Sequence, residues 1–163
     1  MRKVWAILLI TLLVILQSVP QLKVFGFFPD LLLILVVYYS FKVGTTQGII
    51  FGAILGVFID ILSGSYIGTR SLVFATVAMS IEFFKTIFIF EMLMTVPLVS
   101  FFSTVVKYLI LFLLHILFRS ISIGEWYIYM FIEGALNFVF AFPMMWLSNK
   151  IISLLHREFY FSI

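Results

Sequence analysis

Cysteine is absent from the 163 residues, and charge is scarce, with only 10% Asp, Glu, Lys and Arg. The first absence excludes a disulfide scaffold, thiol chemistry and a thiolate metal site. The second excludes disorder and an ordinary water-soluble domain, in which about a quarter of the residues carry charge. A net charge of +3, scattered along the chain, forms no basic stripe for nucleic acid. The two histidines, His115 and His156, are far apart and make neither His-x3-His nor His-Glu-x2-His, so zinc has no ligand set. Neither Gly-x-Gly-x-x-Gly nor a Walker-type Gly-x4-Gly-Lys is present. No serine has a base at a telling spacing, and no paired acid and base stands out. Nothing in the chain argues for chemistry or for a cofactor.

What the chain has is hydrophobicity, 64% of residues, and a bilayer is the solvent that accepts it. At about 20 residues per span, six spans take roughly 120 residues and leave no room for a soluble domain. The pattern predicts one polytopic membrane domain over 1–163, with spans at about 4–19, 27–41, 45–62, 71–90, 92–118 and 126–147. The first follows Arg2-Lys3 and lacks a small-x-small exit, so it reads as an uncleaved helix. The second opens on Pro29-Asp30 and is short for a bilayer of ~30 Å; it either continues through Phe25-Gly26-Phe27-Phe28 or stops partway against protein. Glu82 and Lys85 interrupt the fourth, and Pro97 is expected to kink the fifth. Residues 148–163 mix charged and apolar side chains and read as an amphipathic tail on the membrane surface.

With the N-terminus inside, Arg2, Lys3, Lys42, Lys85, Lys150 and Arg157 are cytoplasmic, against Lys23, Arg70 and Arg119 outside. The positive-inside rule then places both termini in the cytoplasm. Trp5 and Trp146 fall near the inner interface and Trp126 near the outer one, where their amphipathic rings prefer to sit.

The clearest pattern is a ladder at a spacing of four: Gly44, Gly48, Gly52, Gly56, Asp60, Gly64 and Gly68. Gly48, Gly52 and Gly56 make a helix-packing groove, and small residues are a main means of helix association in lipid. A seam within one chain is favoured over a homodimer seam. Asp60 must sit at the interface or take hydrogen bonds from backbone N–H groups, because an ionised carboxylate in hydrocarbon is costly. The reading favours a lock on the following Gly/Ser loop over a ligand contact. Pro29, Asp30, Asp60, Gly64 and Gly68 remain candidates for function or partner binding.

On the fifth helix Ser100, Thr104, Lys107, Leu111 and His115 share one face, and the sixth carries Glu133 and Asn137 one turn apart. Lys107, His115, Glu133 and Asn137 are read as an intramembrane polar network. Counted from the outer helix ends, Glu133 lies between the depths of His115 and Lys107, and Asn137 lies level with Lys107. A buried Lys107–Glu133 ion pair is favoured over a substrate or proton site. That pairing predicts that Lys107→Leu and Glu133→Leu each destabilise the protein and that the double change recovers much of the loss.

Pro29-Asp30-Leu31-Leu32-Leu33-Ile34-Leu35, then Gly48-x3-Gly52-x3-Gly56-Val57-Phe58-Ile59-Asp60-Ile61-Leu62-Ser63-Gly64 and Gly68, resembles the rod shape-determining MreD family over roughly residues 28 to 70. The resemblance implies a multi-pass protein of the bacterial cytoplasmic (inner) membrane, a non-enzymatic scaffold of the elongation machinery. It implies binding to the bitopic protein MreC and, through it, links to MreB filaments, the RodA glycosyltransferase and its transpeptidase partner, directing lateral peptidoglycan synthesis and rod shape. The fold it implies is all-α with six transmembrane helices, similar to the substrate-binding components of energy-coupling-factor transporters. A vitamin-binding component of such a transporter is the alternative function. Those components usually carry Ala-x3-Ala on the first helix, where this chain has Ala6 and Ile10.

Overall fold

The computed structural model describes residues 2–18, 27–64, 66–87, 92–118 and 126–155. Their regular structure is six α-helices: α1 (Arg2–Ser18), α2 (Leu31–Val43), α3 (Thr45–Ser63), α4 (Thr69–Ile87), α5 (Met92–Phe118) and α6 (Trp126–Leu155). No β-strand occurs among the described residues. Helices α3, α5 and α6 are long and apolar enough to cross a membrane.

The organising element is α2. Its sequence, LLLILVVYYSFKV, is apolar on every face until Ser40, and such a helix can only be buried. Every side chain from Leu32 to Ser40 is buried, and α2 packs against all five other helices. Its 13 residues span about 20 Å, so α2 is a core helix about two thirds as long as the hydrocarbon is thick. Residues 27–30 are not helical, so the expected continuation of this helix through Phe27 and Phe28 does not form. Phe25 and Gly26 lie outside the described residues. The reason is Asp30, whose side chain accepts from the Leu33 N–H at 3.1 Å and caps α2 there.

A single residue, Gly44, joins α2 to α3 at φ 127°, a conformation that L side chains rarely adopt, so the reversal depends on glycine. Helices α3 and α4 then form the most extensive helix pair, with α5 and α6 next. The ladder at a spacing of four divides here into two kinds of position. Gly48 lies against Ser40 of α2, while Gly52 lies against Phe74 and Gly56 against Ser71 and Arg70 of α4. A Cβ at Gly56 would sit 2.3 Å from the Ser71 nitrogen. Gly44, Gly64 and Gly68 instead have positive φ and open space around the missing Cβ.

The long helices differ from expectation at one end. α6 continues to Leu155, well past Leu147, because Ser148, Ile151 and Ile152 are buried against the rest of the bundle. The remainder of the expected tail, 156–163, and residues 88–90 of the fourth span lie outside the described residues. α5 runs as one helix through Pro97.

Candidate functional site

The polar groups of the interior gather at the N-terminal end of α2, against the middle of α5 and the first half of α6. Lys107 Nζ on α5 lies 2.7 Å from Asp30 Oδ2 and 2.5 Å from Glu133 Oε1. The Tyr108 hydroxyl donates to Glu133 Oε2 at 2.8 Å. The Asp30 backbone N–H donates to Asn137 Oδ1 at 2.6 Å, and Asn137 Nδ2 donates to Thr104 Oγ1 at 2.8 Å. Thr104 in turn donates to the Ser100 carbonyl at 2.9 Å. All four carboxylate oxygens of Asp30 and Glu133 therefore accept a hydrogen bond. Asp30 also lies at the N-terminal end of α2, where the helix dipole, about +0.5 charge, favours a carboxylate.

The Lys107–Glu133 pair is thus incomplete as a description, since Asp30 is a second counter-ion of Lys107. The signal was Pro29-Asp30 ahead of a uniformly apolar helix. A capping carboxylate carried into hydrocarbon needs a cation, and Lys107 is the cation within a span. The depth count also shifts. Glu133 lies level with Lys107 and Tyr108, and Asn137 lies level with Thr104. The facing ends of α5 and α6 are not level: α5 projects about one turn beyond the start of α6, as the stacking of Phe112 on Trp126 at 5.3 Å also shows. Tyr108 carried no sequence signal beyond its place beside Lys107.

His115 is not part of the cluster. Its Nδ1 is buried without a hydrogen-bond partner among the described residues. Pro29 is buried immediately before the cap, and its carbonyl accepts from Leu31 N–H at 3.1 Å.

A second polar centre lies at the α3–α4 turn. Asp60 is fully buried, and its carboxylate accepts from the backbone N–H groups of Gly68 at 2.8 Å and Arg70 at 3.1 Å. Gly64, left-handed at φ 63°, ends α3 and donates its N–H to the Asp60 carbonyl. The Arg70 guanidinium approaches Asp60 only through Nε, at 3.9 Å, beyond hydrogen-bonding range. Asp60 thus closes the turn through backbone donors, and the neighbouring cation adds charge at 3.9 Å without a hydrogen bond.

At the other end of the bundle, Lys42 donates to Asn149 Oδ1 at 2.5 Å and Thr45 bonds Glu82. Lys85 Nζ lies 5.2 Å from the centroid of the Phe41 ring, and Lys150 Nζ 5.7 Å from that of Trp146. Among the described residues, no group of three or more His, Asp or Glu side chains converges as a metal site.

A family model described as rod shape-determining protein MreD matches residues 1–151. The chain belongs to the MreD family. Membership gives it a role in rod shape determination, and the apolar helices agree with a membrane protein. The match takes in both polar centres, the glycine seam and most of α6. No curated protein and no solved structure matches the chain.

Proposed function

We propose that this MreD-family chain is a non-enzymatic, multi-pass scaffold of the bacterial cytoplasmic membrane that binds a bitopic, MreC-like partner. Through that partner it connects MreB filaments to the RodA glycosyltransferase and its transpeptidase, and so guides lateral wall synthesis. The match over residues 1–151 carries this reading. The interior supports it: Asp30, Lys107, Glu133, Asn137 and Thr104 are bonded to one another, an arrangement that holds helices in register. A membrane scaffold works through its outer helix faces, and those of α3, α5 and α6 expose large apolar side chains such as Ile54, Leu113 and Phe131. Lys42, Lys85 and Lys150 lie together at one end of the bundle, which supports that end, and both termini with it, as cytoplasmic.

Affinity purification from native membranes, followed by identification of what co-purifies, tests the reading. A single-pass protein with a periplasmic coiled coil is expected in stoichiometric amount, and depletion of the chain should turn rods into spheres. Recovery of a stoichiometric bound vitamin, with associated ATPase subunits, overturns it in favour of a transporter component.

A further inference from the structure

Helix α1 packs chiefly on α6 and also touches α2. Between α1 and α3, over α2, lies a pocket of about 270 Å³ lined by Val14, Phe28, Leu32, Ile59, Leu62, Ser63 and Arg70. It lies at the α3–α4 turn, the end of the bundle opposite Lys42, Lys85 and Lys150. Among the described residues that line it, five are apolar and two, Ser63 and Arg70, are polar.

The charge balance at that end is the informative part. Buried Asp60 takes its hydrogen bonds from the Gly68 and Arg70 N–H groups, so the Arg70 guanidinium pairs with it by charge and spends none of its own donors on it. The guanidinium, 42% exposed, makes only the long 3.9 Å approach to Asp60 among the described residues. A planar cation with free donors suits a phosphate, which it can bind through two parallel N–H groups. The apolar wall below suits hydrocarbon. The volume is just under the ~300 Å³ lower end of ordinary ligand sites, which fits part of one chain and not two.

We propose that this pocket binds an anionic amphiphile, a membrane lipid whose phosphate pairs with Arg70 and one of whose hydrocarbon chains lies along Val14, Leu32, Ile59 and Leu62. The assignment stands on the pocket alone and does not depend on the scaffold reading.

The test is native mass spectrometry of the full chain released from nanodiscs of phosphatidylglycerol or of phosphatidylcholine, with inorganic phosphate as a third probe. One phosphatidylglycerol per chain is expected to be retained; phosphatidylcholine, whose choline cation cancels the phosphate charge and is repelled by Arg70, and inorganic phosphate, which lacks the hydrocarbon chain, are not. R70Q leaves the backbone N–H bond to Asp60 in place and should lower retention roughly tenfold or more. L62W, at an exposed lining position, should fill the mouth and lower retention with Arg70 intact. K85Q, at the opposite end, should change nothing. Equal retention of the two lipids overturns the proposal, as does full retention by folded R70Q. Saturation by phosphate with no effect of L62W reduces the site to an anion contact and also overturns it.

Discussion

Two joints hold this bundle, and they work by opposite means. Along α3 and α4 the glycines remove side chains so that backbones touch, and the contact is one of shape. Where α2, α5 and α6 meet, side chains are long and charged, and Lys107 draws Asp30 and Glu133 together. In lipid neither joint has a hydrophobic driving force between helices, so close packing and polar bonding must supply the specificity. The glycine joint should therefore fail on added volume. The ionic joint should fail on a changed charge count, whatever the shape.

The largest effect is expected from Lys107→Leu, which leaves two carboxylates facing each other without their cation. Breaking a buried ion pair from one side costs about 3–5 kcal/mol, to be read from the unfolding free energy in detergent. The three-membered cluster predicts more than a pair would. Lys107→Leu with Glu133→Leu still strands Asp30, so the double variant should stay close to the single one in stability. Adding Asp30→Asn should restore much of the loss. Full recovery in the double variant would break the comparison by reducing the joint to two residues.

Next comes Gly56→Ala. The added Cβ would lie 2.3 and 2.4 Å from the backbone nitrogen and Cα of Ser71, atoms that no rotamer change can move. α3 and α4 must part, at a cost of about 2–3 kcal/mol. Thermal unfolding should show the loss, and an unchanged midpoint would mean that the seam is not held by backbone contact.

The two joints were not equally legible in the sequence. The glycine seam could be read because a spacing of four puts Gly48, Gly52 and Gly56 on one helix face, and helical periodicity is local. In the sequence Gly48, Gly52 and Gly56 already separate as packing positions from the Gly/Ser loop after Asp60, but the left-handed backbone of the turns does not show. That depends on φ at Gly44, Gly64 and Gly68, set where the chain reverses. The ionic joint was only half legible. Lys107, Glu133 and Asn137 lie on helices adjacent in sequence, whereas Asp30 reaches Lys107 across 77 positions. The uniform apolarity of α2 left open whether it spans or stops partway against protein, and its burial on all sides follows from the five helices packed around it. The extension of α6 could not be read, because Ser148 and the charged Lys150 look like an exit from the membrane while Ile151 and Ile152 are buried beside them.

Asp60→Ala sharpens the comparison by removing a charge from the glycine side of the molecule. The carboxylate there is held by backbone donors, so its loss should loosen the α3–α4 turn and leave the α2–α5–α6 cluster intact. A loss of about 1.5–3 kcal/mol is expected, the range for hydrogen bonds to a charged group. Hydrogen exchange should quicken at the Gly68 and Arg70 amides and stay slow at Leu33. Quickening at both places would mean that the two joints are one.

The smallest effect is the most discriminating, because it sets two glycines of similar clearance against each other. A Cβ at Gly52 would meet the Phe74 carbonyl oxygen and carbon at 3.1 and 3.2 Å, both backbone. A Cβ at Gly134, on α6, would meet only the Phe101 ring, at 3.0 Å, and a partly exposed ring can tilt away. Alanine in a helix gains about 0.8–1 kcal/mol over glycine in either case. At Gly134 that gain should survive, giving a neutral or slightly more stable protein. At Gly52 the rigid contact should cancel it and leave a net loss of about 1 kcal/mol. Equal responses from Gly52→Ala and Gly134→Ala would show that distance alone governs the effect. Opposite responses would show that what matters is whether the neighbour is backbone.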